Sequence, residues 1–379
     1  VKAETSFSLA DQLFHKEKVV YLASRFKAVY PRFSQKKFEQ EVLASFPDLG
    51  LKQRISHITA CLKEYLPKRY PTALSLLIEV LPERLDPDKT DDDFGDFIFA
   101  PLSLYVARYG CTKKHLEASL LGLKEITMRF SAEEAIRFFI NAFPEETLDF
   151  LMECARDDHY HVRRLASEGT RPTLPWAQKL VIDWETPLPI LEQLYGDSTR
   201  FVTRSVANHL NDISKISPES VVDLLTEWQG SEKQNEKELG FITRHSLRTL
   251  EKKGHKGALS LLGFDGHPDV TISGLKTNTP EVVVGDAFVF ECTITSNKSQ
   301  SLLIDYVMEF ATERKRVSKK VFKWKKIQME EGDCLTLKKR HPMKLMTTRR
   351  LVAGEHTITL QINGESFDSI SFELLEPPK

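Results

Sequence analysis

From residue 1 to about 263, apolar residues recur every three or four positions. The segments VVYLASRFKAVY, ISHITACLKEYL, ALSLLIEVL, LSLYVARYG, LEASLLGLKEITMRF and VVDLLTEW each draw an apolar stripe down one face of a helix. Pro31, Pro47, Pro67, Pro71, Pro82, Gly110, Pro144, Pro187, Gly230 and Gly254 interrupt the pattern at short intervals, which predicts many short helices in hairpins and not a bundle of long ones. After GFDGHPDV the period changes. From about residue 268, VTISGL, EVVVGDAFVFECTITS, SLLIDYVMEFAT, KKVFKWKKIQM, CLTLKKR, HTITLQING and SISFELL alternate apolar with polar residues and are rich in β-branched side chains. Seven such runs separated by Gly, Asn, Asp and Ser predict an immunoglobulin-like sandwich, and Cys292 has no partner at inter-sheet disulfide spacing.

The helical part contains a repeat. HVRRLASEG at 161 realigns on FVTRSVANHL at 201 and on FITRHSLRTL at 241, an ungapped offset of 40 residues both times. Val162, Val202 and Ile242 coincide, and so do Arg164, Arg204 and Arg244. This period is the size class of HEAT-type helix pairs, whose equivalent helices stack and share one core. The expected fold is therefore multidomain: an all-α HEAT-like repeat solenoid over residues 1–265, followed by an all-β immunoglobulin-like sandwich over 266–379. The apolar position recurs because each helix must bury the same stripe, whereas the arginine carries no such obligation. Steps of four along the same face give three rows: Arg164 and Glu168; Arg204, Asn208 and Asp212; Arg244, Arg248 and Lys252.

Composition alone says little, since 53 Lys and Arg against 54 Asp and Glu leave a formal charge of −1. The distribution says more. Around the three aligned helices stand Arg163, Arg164, Arg171, Arg200, Arg204, Lys215, Arg244, Arg248, Lys252, Lys253 and Lys256, against only Glu168, Asp212 and Glu251. In the other region, ERKRVSKKVFKWKK (313–326) carries eight cations and LKKRHPMKLMTTRR (337–350) six. A repeated arginine can cap the preceding helix or bridge neighbouring repeats, and a lone basic edge strand guards against aggregation. Two independent basic surfaces, with Phe322 and Trp324 set among lysines, point instead to a phosphate-backbone partner. No apolar run approaches the roughly 18 residues of a membrane span, and the first residues lack the apolar core of a signal peptide. The five scattered cysteines suggest reduced thiols in a cytosolic protein and show no zinc spacing.

Most enzyme signatures are missing: there is no P-loop, dinucleotide fingerprint, nucleophile elbow or zinc-deaminase set. The acidic DKTDDDFGDF (88–97) lacks Ca²⁺-loop spacing and reads as an acidic loop at a helix start, so neither metal nor cofactor is expected. What remains are carboxylates inside a basic surface. Glu168 and Asp212 weaken phosphate binding and so require a reason. One reason is pairing, because Arg164 and Glu168 are i,i+4 neighbours worth about 0.3–0.5 kcal/mol on an exposed helix. The other is catalysis: cleaving an N-glycosidic bond builds positive charge on the sugar, which a carboxylate stabilises while it orients water. An alkylated base that is already cationic leaves without a general acid.

The strings HVRRLASEGTRPTLPWA, VTRSVANHLNDISK and ITRHSLRTLEKKGH, with TDDDFGDFIFAPL and SKKVFKWKKIQM…LKKRHPMKLMTTRR…GEHTITLQING, resemble the AlkC group of DNA alkylation-repair glycosylases over nearly the whole chain. AIRFF (135–139) departs from the AIRPF expected there. The resemblance implies a monomeric, cytosolic, monofunctional DNA glycosylase without cofactor. Its substrate would be double-stranded DNA containing small cationic alkylated bases, chiefly 3-methyladenine, bent without base flipping. It carries catalytic roles onto Glu168 of SEG, Asp212 of NHLND and Glu125 of KEITMRF. Trp176 of LPW becomes a contact for sugar or base, or else a core tryptophan at a helix start. DNA binding falls to Arg163, Arg164, Arg200, Arg204, Asn208, Arg244, His245 and Arg248, and in the tail to Lys319, Lys320, Lys323, Lys325, Arg349 and Arg350. The alternative is a non-catalytic HEAT-repeat DNA-binding scaffold, which shares the basic surface but has no use for the carboxylates.

Overall fold

The computed structural model describes residues 8–88, 94–312, 318–344 and 351–376. Among the described residues fifteen α-helices precede the strands. They are α1 (Leu9–Leu13), α2 (Lys16–Val29), α3 (Gln35–Ser45), α4 (Leu51–Tyr65), α5 (Tyr70–Glu79), α6 (Ala100–Gly110), α7 (Leu116–Thr127) and α8 (Glu133–Ala142). Next come α9 (Pro144–Cys154), α10 (Tyr160–Gly169), α11 (Leu188–Leu194), α12 (Arg200–Ile213), α13 (Pro218–Gln229), α14 (Glu236–Lys253) and α15 (Lys256–Leu261). Proline stands in the first turn of α5, α6, α9, α11 and α13, where its fixed φ suits the helix and its missing N–H costs nothing. Pro144 opens α9 immediately after α8 ends at Ala142, so there one residue closes a helix and starts the next. α8 runs unbroken through Phe138.

α9 packs on α10 and α11 on α12, and α10 lies along α12. Val162, Val202 and Ile242 are all fully buried, so the repeated apolar position fills the same role in each copy. At Gly169 a Cβ would come within 2.5 Å of Ile136 Cγ2, so glycine lets the end of α10 close on α8.

The described residues of Val1–Ile213 and Ser231–His245 form one compact unit, and those of Ser214–Gly230 and Ser246–Lys379 another. The second unit holds eight strands where the sequence pattern shows seven runs. They are β1 (Val270–Thr277), β2 (Glu281–Val283), β3 (Ala287–Ser296), β4 (Gln300–Phe310), β5 (Ser318–Met329), β6 (Cys334–Pro342), β7 (Gly354–Ile362) and β8 (Glu365–Leu375). The run at 281–296 is cut at Gly285, whose φ of 111° turns the chain between β2 and β3. Strand order is β1-β3-β6 in one sheet and β2-β8-β7-β4-β5 in the other, antiparallel except for β2 beside β8. Strict alternation in β3 sends Phe288, Phe290, Cys292 and Ile294 inward, where they meet Tyr306, Ile304, Leu360 and Phe372 from the facing sheet. The sandwich is immunoglobulin-like, and all five cysteines are free thiols. In the same unit Leu259 and Phe264 pack on Leu303, and the backbones of Gly254 and Gly364 touch, both with positive φ.

Candidate active site

The aligned arginines do not share one environment. Arg164 is only 6% exposed, whereas Arg204 is half-buried and Arg244 exposed. In α10, Arg164 donates to Glu133 Oε2 at 2.8 Å and to Ser131 Oγ at 3.1 Å, and lies 3.7 Å from Glu168 Oε2. Its guanidinium sits over the Phe201 ring at 4.4 Å and near Phe94 at 5.4 Å. This corrects the simple picture of a row turned to phosphates: Arg164 is spent inside the fold.

Glu168 and Asp212 are 4% and 3% exposed. Arg171 joins them, with Nη1 2.6 Å from Glu168 Oε1 and Nη2 2.9 Å from Asp212 Oδ2. Ser205 of α12 donates to Glu168 Oε2 at 2.6 Å and lies 3.0 Å from Ser167 Oγ, while His209 Nδ1 lies 3.1 Å from the Ser167 carbonyl. Burial pushes the Glu168 carboxyl upward, but Arg164, Arg171 and the Ser205 hydroxyl override it. Its pKa therefore lies below the usual range, and it is ionised at neutral pH. Burial, with Arg171 close by, pulls Arg137 down to about 10, still cationic at neutral pH. Arg164 and Arg171 thus pair directly with Glu133, Glu168 and Asp212, and Arg137 stands close enough to Glu133 and Asp212 to offset the remaining negative charge.

Arg137 also shapes the loop after α10. It donates to the carbonyls of Gly169 at 3.1 Å, Arg171 at 2.7 Å and Gln178 at 2.8 Å. Asn141 holds the same loop through Lys179 and Val181, and Lys52 of α4 bonds both the Trp176 carbonyl and Glu134. The irregular stretch 171–187 is therefore pinned to α8 and α4. It presents Trp176 at 71% exposure, with φ of 64°, unusual for so bulky a residue. The core-tryptophan alternative fails on this exposure.

Beneath Trp176 lies a cavity of about 720 Å³ whose walls include Phe94, Phe97, Phe130, Leu104, Phe138 and Leu174. Its polar lining is Lys52, Arg108, Glu133 and Glu134 with the serines Ser56, Ser103 and Ser131. Glu133, with 26% of its side chain exposed, is the member of the carboxylate trio that opens to this space. Nothing in the sequence pattern singles out Glu133. Ser131 and Glu134 have the spacing of a helix-start signature, which makes an acidic pair there look like capping alone.

The remaining predicted residues divide. Glu125 is outside the cluster, paired with Arg84 at 2.9 Å and Arg129 at 2.8 Å. Arg163 forks onto Asp197, with Nε 2.5 Å from Oδ2, and Arg200 onto Glu238 while covering the Phe241 ring at 3.7 Å. His245 Nε2 lies 2.9 Å from Asn208 Oδ1. Arg248 is half-buried. In the sandwich, Lys323 meets Glu251 at 2.5 Å, Lys319 pairs with Glu309, and Lys320 and Lys325 are exposed on β5. Arg349 and Arg350 lie outside the described residues, as do 89–93 of the acidic loop; Asp96 at that loop's end accepts from the Ile98 N–H. No group of three or more His, Cys, Asp or Glu with metal-binding geometry occurs among the described residues. Nor is any helix among them long and apolar enough to cross a membrane.

Residues 271–376 match the family model described as "Uncharacterised protein YhaZ, C-terminal Ig-like domain". A Bacillus subtilis (strain 168) protein, "Uncharacterized protein YhaZ", is 32% identical over 367 residues, covering 96% of this chain and 98% of that one. The solved structure of Pseudomonas fluorescens alkylpurine DNA glycosylase AlkC, bound to DNA containing an abasic site analog, superposes with a TM-score of 0.85. It is 33% identical, with 97% of this chain and 100% of that chain covered. The chain belongs to the AlkC family. Its helical repeat and its immunoglobulin-like tail are both within that match.

Proposed function

We propose that this AlkC-family chain is an alkylpurine DNA glycosylase that hydrolyses the N-glycosidic bond of small cationic bases, chiefly 3-methyladenine, in duplex DNA. The observation that carries the reading is the balanced cluster of Glu133, Glu168 and Asp212, with one carboxylate opening to an aromatic-walled cavity. The full-length likeness to a glycosylase solved with abasic-analogue DNA supports it. A base already cationic leaves with the bonding electron pair and needs no proton. The protein then has to stabilise the positive sugar and place a water. Glu133 is the carboxylate open enough to face the sugar or accept a proton from that water. Glu168 and Asp212 hold Arg164 and Arg171 in place, and through Arg164 they fix Glu133. DNA would be gripped by exposed cations such as Arg244, Lys320 and Lys325, and bent without flipping the base into the protein. We place the enzyme in the cytoplasm as a monomer without cofactor.

Incubating methylated duplex with the protein should release 3-methyladenine and leave abasic sites. Protein that binds this DNA and releases no base would overturn the reading. The deep burial of Glu168 and Asp212 favours a second one, in which the cluster is purely structural and the chain a non-catalytic DNA-binding scaffold. Under that reading Glu133→Gln leaves every DNA-dependent property intact. Under ours it removes base release while affinity for DNA persists.

A further inference from the structure

The cavity beneath Trp176 is larger and more aromatic than stabilising a sugar cation requires. Its volume of about 720 Å³ falls in the range of small-molecule sites, roughly 300–1,000 Å³. Phe97 and Phe130 lie 4.8 Å apart and tilted by 60°, Phe94 is 44% exposed, and Trp176 stands nearly free at the rim. Phe94 and Trp176, left this open, forfeit burial that a folded chain ordinarily takes, whereas Phe130 is buried behind them. Trp176 is moreover held in a left-handed backbone by the Lys52 bridge, a cost that points to use and not to packing. The charged groups offer both senses of hydrogen bond: Glu133 and Glu134 accept, Lys52 and Arg108 donate, and their charges cancel.

We propose that this cavity is a binding site for a free planar nitrogen heterocycle of purine size, the base that cleavage releases. The rings stack on its faces, and the carboxylates and cations meet its N–H groups and ring nitrogens. The lining's two cations and two carboxylates balance, so no excess positive charge is left to compensate a buried phosphate, and the site takes a base in preference to a nucleotide. Its floor is one hydrogen bond from the cluster, because Arg164 bonds both Ser131 and Glu133 of the lining. A bound base therefore sits against Glu133 and blocks the next turnover. The site rests on the geometry, while the identity of the ligand rests on the excision reading.

The test is calorimetric or fluorescence titration of the full chain, without DNA, with 3-methyladenine, adenine and adenosine 5′-monophosphate. Saturable binding of both bases is expected, at least about tenfold tighter than the nucleotide. Removing one ring should weaken base binding by about tenfold or more. Phe97→Ala and Trp176→Ala are both used, because Trp176 is too exposed for its loss to unfold the core. No saturable binding of 3-methyladenine by folded protein up to about 1 mM, or binding unchanged in both variants, overturns the site. Base release from methylated DNA is measured separately. Release without free-base binding removes this site alone, and binding without release removes the excision reading alone.

Discussion

Glu168→Gln separates a working carboxylate cluster from a merely structural one. The change keeps size and most hydrogen-bonding capacity but deletes one of three negative charges, leaving Arg164 and Arg171 paired only with Glu133 and Asp212. Breaking a buried ion pair costs about 3–5 kcal/mol, and the two surviving carboxylates together with Ser205 hold the loss near the lower end. A loss of about 3 kcal/mol corresponds to a fall in Tm of about 6–12 °C for a unit of this size. The chemical step should suffer more than folding does. With Glu168 gone, Arg164 swings its full charge onto Glu133, which then offers less to a sugar cation. Loss of one preorganised electrostatic group lowers rates by about 10²–10³-fold. The assay is single-turnover release of 3-methyladenine at about 25 °C, below the lowered Tm, beside a DNA-binding isotherm and a thermal melt. Unchanged affinity with a rate down by about two orders of magnitude is expected. A folded Glu168→Gln variant that releases base at the wild-type rate is incompatible with this account, whatever its Tm.

Burial, aided by His159 and Arg164, holds His161 down to about 3, and burial holds His209 at about 4, against an ordinary 6.5. The unfolded chain binds those protons first, so stability is complete above about 6.5 and falls by about 1.4 kcal/mol per pH unit per histidine as the pH drops towards the folded values. Urea midpoints should decline from pH 6.5 to 4.5, less steeply in His209→Gln, and a flat profile in the wild type would contradict this. Arg244→Ala should lower the salt dependence of DNA binding by about one counterion, whereas Arg164→Gln should cost stability by about 3–5 kcal/mol because it strands buried carboxylates. Salt titrations and melts of the two variants distinguish a phosphate contact from a structural ion pair. Burial raises the Glu251 carboxyl, and Lys323 and Lys326 more than reverse the effect, leaving its pKa below the ordinary range. Glu251→Gln should lower the stability read from urea melts by about 1 kcal/mol, modest because both lysines are about half exposed, and should steepen the salt dependence as those lysines become available to DNA. Unchanged stability and slope would show that the pair does neither.

Much of the architecture could be read from local pattern. The three- and four-residue spacing, the prolines at helix starts and the alternation after residue 268 are constraints each segment obeys by itself, so they survive without knowledge of partners. The 40-residue offset predicted that Val162, Val202 and Ile242 would be buried alike, and they are. β2 and β3 merged in the pattern because a short turn at Gly285 barely interrupts an apolar run. The site was only half visible. Glu168, Asp212 and Trp176 stood out as residue types in unexpected company, while Glu133 was hidden in a helix-start signature.

Pattern along the chain was enough to show which residues repeat, where helix gives way to strand, and that carboxylates are embedded among arginines. What each charge meets was settled by packing in three dimensions. Arg164 and Arg244 occupy the same place in the repeat, yet one is sealed under Phe94 and Phe201 and the other lies open. The reason is that periodicity sets the direction of a side chain from its own helix, whereas its burial and partners depend on segments tens of residues away. Ser131 and Glu133 come to Arg164 from the start of α8, and Asp212 comes to Arg171 from α12. No spacing along the chain encodes those meetings, and they assemble only when the helices pack.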